Sequence, residues 1–369
     1  MAYDKVVDSA SLDSKLTQVA DAIRTKGNTS AGLQFPSGFI SAIQAIQTGT
    51  ELQIIVSVTS GATVTATKGS KVVSGTSVDG TCTLVVPEEG EWTVSATLGG
   101  ETSRSNIVNV TSSYDTTLVF ISPILNDNSW ETIRGISDAG TGENFWSIGD
   151  RKAVTLNGTV GALTLSNYTT YAFIIGFNHN SSVEGANRIH FQLGKTALSG
   201  GTDVALCDNS YNLIGGGVRM NTSDSNSGGW ESSFMRKYIC GTSMISYSNT
   251  IIAVIPEALR TVLKYVTKYT NNTGRLQPGM ESATATTDYF FLLSEYEVFG
   301  TFRVANVGES KKQAQYSYYS SGNSKVKYNY NAIGTAVTWW LRSPVESDSE
   351  QFATCYMSGE VSGDDARKS

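Results

Sequence analysis

The chain has 369 residues and a formal net charge of −6. Only 16% of its residues are charged while 40% are hydrophobic, against roughly a quarter charged in an ordinary globular chain. The acidic balance and the lack of a basic run exclude nucleic acid and anionic membranes as partners, and no apolar run reaches the ~20 residues of a spanning helix, so no membrane insertion is expected. The length allows two or three domains with ample core. The 36 glycines, with abundant Ser, Thr and Asn, suit a β-rich protein that works outside a cell. The N-terminus lacks the charged-then-apolar order of a secretory signal, so folding in a cytoplasm is expected. A virion component released by lysis satisfies both expectations. Cys82, Cys207, Cys240 and Cys355 show no CxxC spacing and read as free thiols, with a Cys207–Cys240 bridge as the alternative.

Residues 1–49 read as two short amphipathic helices. Leu12, Leu16, Val19 and Ile23 form one apolar stripe, with Ser11 and Asp13 at the start and Gly27 at the stop. Phe39, Ile40, Ile43 and Ile46 form a second set after Phe35-Pro36-Ser37-Gly38. Helices this short are marginal alone. Leu12, Leu16, Val19, Ile23, Phe35, Phe39 and Ile43 are therefore expected to attach the chain to another protein or to sister chains, as an attachment and oligomerisation segment.

Residues 50–112 alternate: Leu52, Ile54, Val56 and Val58, then Val64 and Ala66, then Trp92, Val94, Ala96 and Leu98. Turn signals at Ser60-Gly61, Lys68-Gly69, Asp79-Gly80 and Glu89-Gly90 separate five to seven short strands, the pattern of a small immunoglobulin-like β-sandwich spacer.

Residues 113–369 mix short strands, two helices and long polar loops, an α+β pattern. Strands are expected over Ala153–Leu156, followed by an Asn157-Gly158 turn, over Thr170–Phe177, and over Arg188–Gly194. Trp230, Phe234 and Tyr238 share a helical face. Pro256 opens a helix with Leu259, Val262, Leu263 and Val266 inward. Glu295 and Glu297 alternate in an aromatic strand and share one face, with Arg303 or Arg342 as ion-pair partners. Trp339-Trp340-Leu341-Arg342-Ser343-Pro344 places two adjacent aromatics beside a cation that needs anionic or carbonyl partners, so Arg342 is expected to anchor the core.

Catalytic signals are thin. Triads and most zinc sites use histidine, and only His179 and His190 are present; structural roles are expected for both. Gln277-Pro278-Gly279 breaks the motif with which sugar-binding lectins hold calcium. Asn126-Asp127-Asn128 reads as a solvated turn rather than a cation loop. No cofactor, no metal and no catalytic residue is assigned. Tyr316, Tyr318, Tyr319, Tyr328 and Tyr330 flank Ser320-Ser321-Gly322-Asn323; rimming a receptor site and core burial suit them equally.

Several stretches resemble DUF6273, a domain family of unassigned biochemical function common in tail and fibre proteins of phages and prophages. They are Phe145-Trp146-Ser147-Ile148-Gly149-Asp150, Val154 to Gly161, Ile175 to Ser182, Ile189-His190-Phe191-Gln192, Gly228-Gly229-Trp230, Phe234-Met235-Arg236, Val266 to Thr270, Phe291 to Gly300, and Trp339 to Pro344. The resemblance implies a C-type-lectin-like fold of the formylglycine-generating-enzyme type, with a variable ligand-binding face after Pro344, from Val345 to Tyr356. Relatives close with an apolar strand, whereas this chain ends Gly363-Asp364-Asp365-Ala366-Arg367-Lys368-Ser369, so either the final strand is expected to be missing or the chain to be truncated or diverged.

The fold class expected is thus multidomain α+β: short N-terminal helices (1–49), an immunoglobulin-like β-sandwich (50–112) and a C-type-lectin-like domain (113–369). The function expected is that of a non-enzymatic phage tail fibre or receptor-binding virion protein, a homotrimer in the tail or baseplate. Its partners would be other tail or baseplate proteins and a bacterial surface glycan or protein. Glu346, Ser347, Asp348, Glu350, Phe352, Thr354, Tyr356, Tyr318 and Tyr319 would contact the receptor. The alternatives are a baseplate or capsid-decoration protein without a receptor, and an enzyme that degrades surface polysaccharide.

Overall fold

The structure, a computed structural model, describes residues 9–27, 30–45, 51–103, 105–207, 218–274 and 283–368. It is mixed α and β, with several small sheets and short helices, and divides into two units, Met1–Phe120 and Ile121–Ser369.

In the first unit, α1 (Ser9–Lys26) and α2 (Ser37–Ala45) form a hairpin. The chain is already helical at Ser9, so Ser11 lies inside α1, and Gly27 does end it. The seam is rotated from the expected stripe. Ala20 and Ile23 pack with Phe39, Leu16, Leu33 and Ala42, and the small Ala20 lets the helices approach. Leu12 and Val19 are left about half exposed, as are Phe35, Ile40 and Ile43. Ile46 lies outside the described residues.

The alternating segments form two sheets around one core. One sheet holds β1 (Gln53–Ser57), β4 (Thr81–Val85) and β8 (Tyr114–Thr117), in the order β4-β1-β8. The other holds β2 (Thr63–Lys68), β3 (Lys71–Thr76), β5 (Gly90–Leu98), β6 (Glu101–Thr102) and β7 (Asn106–Val110). Ile54, Val56, Val64, Ala66, Trp92, Val94 and Val110 are buried between them, as their period of two requires. The last strand falls beyond residue 112, because β8 pairs in parallel with β1 and Leu118 completes the core.

In the second unit, α3 (Trp130–Asp138) starts at Ser129, whose hydroxyl accepts from the Thr132 N–H at 3.0 Å. It precedes the hairpin of β9 (Arg151–Val160) and β10 (Leu163–Phe177). The expected Asn157-Gly158 turn is instead a bulge within that hairpin. Asn167 adopts a positive φ there and its N–H bonds the Asn157 side chain. The reversal comes at Gly161 and Ala162, between paired Val160 and Leu163, with Gly161 at φ +56°, the left-handed value a tight hairpin needs. After α4 (Ser181–Glu184), β11 (Ile189–Lys195) adds to β10 as an edge strand.

β10 is covered on both faces. Ala172 and Ile174 enter a core with Trp130, Trp146, Leu156 and Trp230. Phe173 and Ile175 enter another with Tyr316, Tyr318, Tyr319, Trp339 and Leu341.

Short elements follow: β12 (Val204–Ala205), α5 (Gly229–Ser232), a π-helical stretch Met235–Gly241, α6 (Ile251–Val254) and α7 (Glu257–Arg260). The helix after Pro256 is a single turn. Val266, expected on it, belongs to β13 (Val266–Thr270), which pairs with β14 (Thr284–Asp288). Asp288 holds this hairpin to the preceding segment through Trp230 Nε1 (3.0 Å) and Arg236 Nε (2.6 Å). Glu295 and Glu297 lie not on a strand but on α8 (Glu295–Phe299), so they do not share a face. α9 (Ser317–Ser320), β15 (Lys327–Asn329) and β16 (Ala332–Val337) lead to a final antiparallel sheet. That sheet consists of β17 (Trp339–Pro344), β18 (Gln351–Cys355) and β19 (Val361–Asp365).

A missing final strand, one of the expected alternatives, is therefore corrected: a third strand is present in polar form. The polar Val361–Asp365 segment pairs along the whole of β18, and Ala366 behind it is fully buried. Backbone pairing supplies what an apolar sequence would otherwise have marked. No disulfide joins any of the four cysteines, so the alternative Cys207–Cys240 bridge does not form.

Because Phe352 is fully buried on β18, Phe352→Ala should destabilise the second unit by about 3–5 kcal/mol. Ser347→Ala, at an exposed position on the adjoining turn, should stay within about 0.5 kcal/mol. Urea unfolding followed by tryptophan fluorescence checks the contrast.

Candidate functional site

The densest chemistry in the second unit is a buried charge network around α8. Ser294 caps this helix. Its hydroxyl accepts from the Glu297 N–H at 3.1 Å, and the Glu297 carboxylate accepts from the Ser294 N–H at 3.0 Å. This capping box turns Glu297 inward to meet Arg342 on β17. Arg342 places all five of its donors. NH1 and NH2 both reach Glu297, and they also reach the carbonyls of Leu292 (2.8 Å) and Tyr269 (3.4 Å). Nε reaches Thr270 Oγ1 at 2.7 Å. Lys268 on β13 likewise spends its three protons, on Glu184 (2.6 Å), Glu297 (2.9 Å) and Tyr316 Oη (2.8 Å). Lys268, Glu297 and Arg342 are all 0% exposed.

The environment divides the carboxyls. Burial would raise Glu297, but Arg342 and Lys268 beside it hold it well below the usual carboxylate range. Burial pushes Glu184 up against the pull of Lys268. Glu309 faces the Asn271 N–H and the hydroxyl of Ser343, yet burial prevails and pushes it up to about 7. Glu295 is also raised by burial, although backbone N–H groups of Arg303 and Ala305 donate to it. His179 stacks on Tyr316 at 3.6 Å and is pushed down to about 4 by burial and by Lys268.

Among the described residues, His179, Glu184 and Glu297 bring ligand atoms within 4.8 Å of one another, a set that could hold a divalent cation. The Lys268 ammonium already bridges the two carboxylates. With Arg342 on Glu297, two cations of the chain face these two carboxylates. Gln277-Pro278-Gly279 lies outside the described residues.

Trp230, Arg236, Lys268, Glu297 and the Trp339–Pro344 strand make one connected frame, all of it beyond residue 203. Residues 203–369 carry a DUF6273 domain. The description attached to this family is "domain of unknown function". The stretches between Phe145 and Gln192 lie outside the matched span. A search among curated proteins found no match.

The expected receptor residues do not converge. Ser347 and Glu350 are exposed and Glu346 and Asp348 half-buried on the turn between β17 and β18. Phe352 and Thr354 are buried on β18, so the segment from Val345 to Tyr356 is a turn and a core strand rather than one display loop. Tyr356 is exposed at the far end of that strand, roughly 17 Å away for five extended residues. Tyr318 and Tyr319 are core residues; Tyr318 Oη accepts from Lys195 and Tyr319 donates to Gln192. The turn itself is held from behind. The Asn226 side chain donates to the carbonyls of Val345, Asp348 and Gln351, and its N–H to Ser349.

Sequence reasoning found Arg342 and Glu297 and missed Lys268, Glu184 and Glu309. A signal existed for Lys268. In Val266-Thr267-Lys268-Tyr269-Thr270 the buried positions are Val266, Lys268 and Thr270, which puts a lysine in the inward register of a strand. Placing Val266 on a helix concealed it.

Arg342→Met leaves Glu297 buried beside Lys268 alone and should cost about 3–5 kcal/mol. Arg342→Lys should recover little, because an ammonium cannot make the two-pronged contact. Both are read by chemical denaturation at pH 7. The folded chain holds the Glu309 proton up to about 7, while the unfolded chain releases it near 4.5. Stability from this group is thus present below 4.5 and falls as pH rises to 7. Glu309→Gln should remove that fall, visible as a smaller difference between urea midpoints at pH 4.5 and pH 7.

Proposed function

We propose that this protein is a non-enzymatic attachment protein of a phage virion. In this reading the N-terminal hairpin joins the tail or baseplate, and copies assemble as a trimer whose repeated weak contacts gain strength together. The two-sheet segment is an immunoglobulin-like spacer. The second unit is a C-type-lectin-like domain that meets a glycan or protein on the bacterial surface.

The observation that carries the reading is apolar surface on the hairpin that the described residues leave uncovered. Leu12 and Val19 on α1, Ile40 and Ile43 on α2, and Phe35 in the turn before α2 are each at least 45% exposed, more apolar surface than so small a unit leaves uncovered without a partner. Leu16, Ile23 and Phe39 serve the hairpin's own core. Two further points agree with it. Residues 203–369 match DUF6273, and the sequence resemblance to that family is what implies a place among tail and fibre proteins. The charges of Lys268, Arg342, Glu184 and Glu297 are sealed inside and paired with one another. Receptor contact falls to Glu346, Ser347, Asp348 and Glu350 on the pinned turn.

Particles from the producing strain, labelled with antibody to this chain, should carry the label on the tail; label confined to the capsid would overturn the reading. Added purified chain should slow adsorption of those particles. A variant with Glu346, Ser347, Asp348 and Glu350 all changed to Ala should compete at least tenfold less well.

A further inference from the structure

The second unit contains a cavity of about 380 Å³ that neither the charge network nor the turn uses. β11 is an edge strand, and the cavity takes residues from both of its faces, so it runs along that open edge: Phe191 and Leu193 from one face, His190 and Gln192 from the other. Tyr289, Phe291, Trp339 and Trp340 complete an aromatic wall, and Phe191, Tyr289, Phe291 and Trp340 are only half-buried. A concave, aromatic-lined space with a few polar groups is the usual form of a small-molecule site.

One of those polar groups is a buried donor that the fold leaves unmet. The Lys327 side chain is 4% exposed and lines the cavity. Its ammonium lies over the rings of Trp339 (4.9 Å) and Phe173 (5.9 Å), and among the described residues it makes no hydrogen bond or ion pair. A buried ammonium held by rings alone is costly. The groups that face it are Asp203, which is paired with Lys195, Lys195 itself, and the thiol of Cys355. Of the described lining residues Arg134, Arg188, Lys264 and Lys327 are basic and none is acidic.

We propose that this cavity binds an amphipathic anion, an apolar or aromatic body ending in a carboxylate or sulfonate whose oxygens take the protons of Lys327. The aromatic wall covers the body. The anion supplies Lys327 with the counter-charge that the fold omits.

Anilinonaphthalene sulfonate, an aromatic anion, and N-phenylnaphthylamine, its uncharged counterpart, test this on the full chain by fluorescence titration. The sulfonate should saturate at one molecule per chain. Lys327→Met should weaken it at least tenfold and leave the uncharged probe unchanged, with near-UV circular dichroism reporting the fold. Loss of both probes or of neither in the folded variant overturns the proposal, as does the absence of saturable sulfonate binding to the wild type. Should the variant not fold, the wild type decides alone. Burial pushes Lys327 down to about 8, so sulfonate affinity should fall about tenfold per pH unit above that value while the uncharged probe stays level. A level sulfonate profile from pH 7 to 10 overturns the proposal. Competition by decanoate or by 2-naphthoate then separates an aliphatic from an aromatic source of the anion.

Discussion

The contact between Arg342 and Glu297 is the constraint on which the second unit depends. A buried ion pair is a poor source of net stability, because removing both charges from water offsets most of their attraction. Its effect is geometric. A planar guanidinium with five placed donors tolerates one arrangement of its neighbours. Arg342 therefore fixes β17 against the start of α8, the Leu292 carbonyl and the β13 backbone at once. Sliding any of these by one residue would strand a charge in the interior.

The apolar core and the charge network are joined through Tyr316. Its ring belongs to the core on the Phe173 face of β10, and its hydroxyl meets Lys268 and His190. Packing and electrostatics therefore specify the same arrangement. The glycines between elements serve the same closeness. A Cβ at Gly229, at φ +51°, would lie 2.1 Å from the Asn271 carbonyl oxygen, so the Gly-Gly-Trp turn lets two backbones touch where Trp230 enters the core.

Much of the fold was legible where burial is one-sided. The sandwich strands alternate cleanly because one face meets the core and the other meets water. The buried role of Arg342 was legible from its aromatic neighbours. The final sheet was not, since β19 is held by pairing to β18 and carries almost no apolar signal. The tyrosines at 318 and 319 were ambiguous for a related reason: a side chain with a polar tip suits either a surface or a core that offers Lys195 and Gln192 as partners. The network as a whole was hidden because its members come from segments more than a hundred residues apart, from Glu184 to Arg342, and no local spacing records that meeting.

Asn226 grips the turn between β17 and β18 by main-chain oxygens. The form of that turn is therefore written more than a hundred positions upstream, in a residue that is itself out of reach of solvent. Genetic drift at Ser347, Ser349 and Glu350 can change the chemistry offered to the outside while the backbone that presents it stays put. Such a division leaves shape to one fixed buried residue and surface character to a few exposed ones.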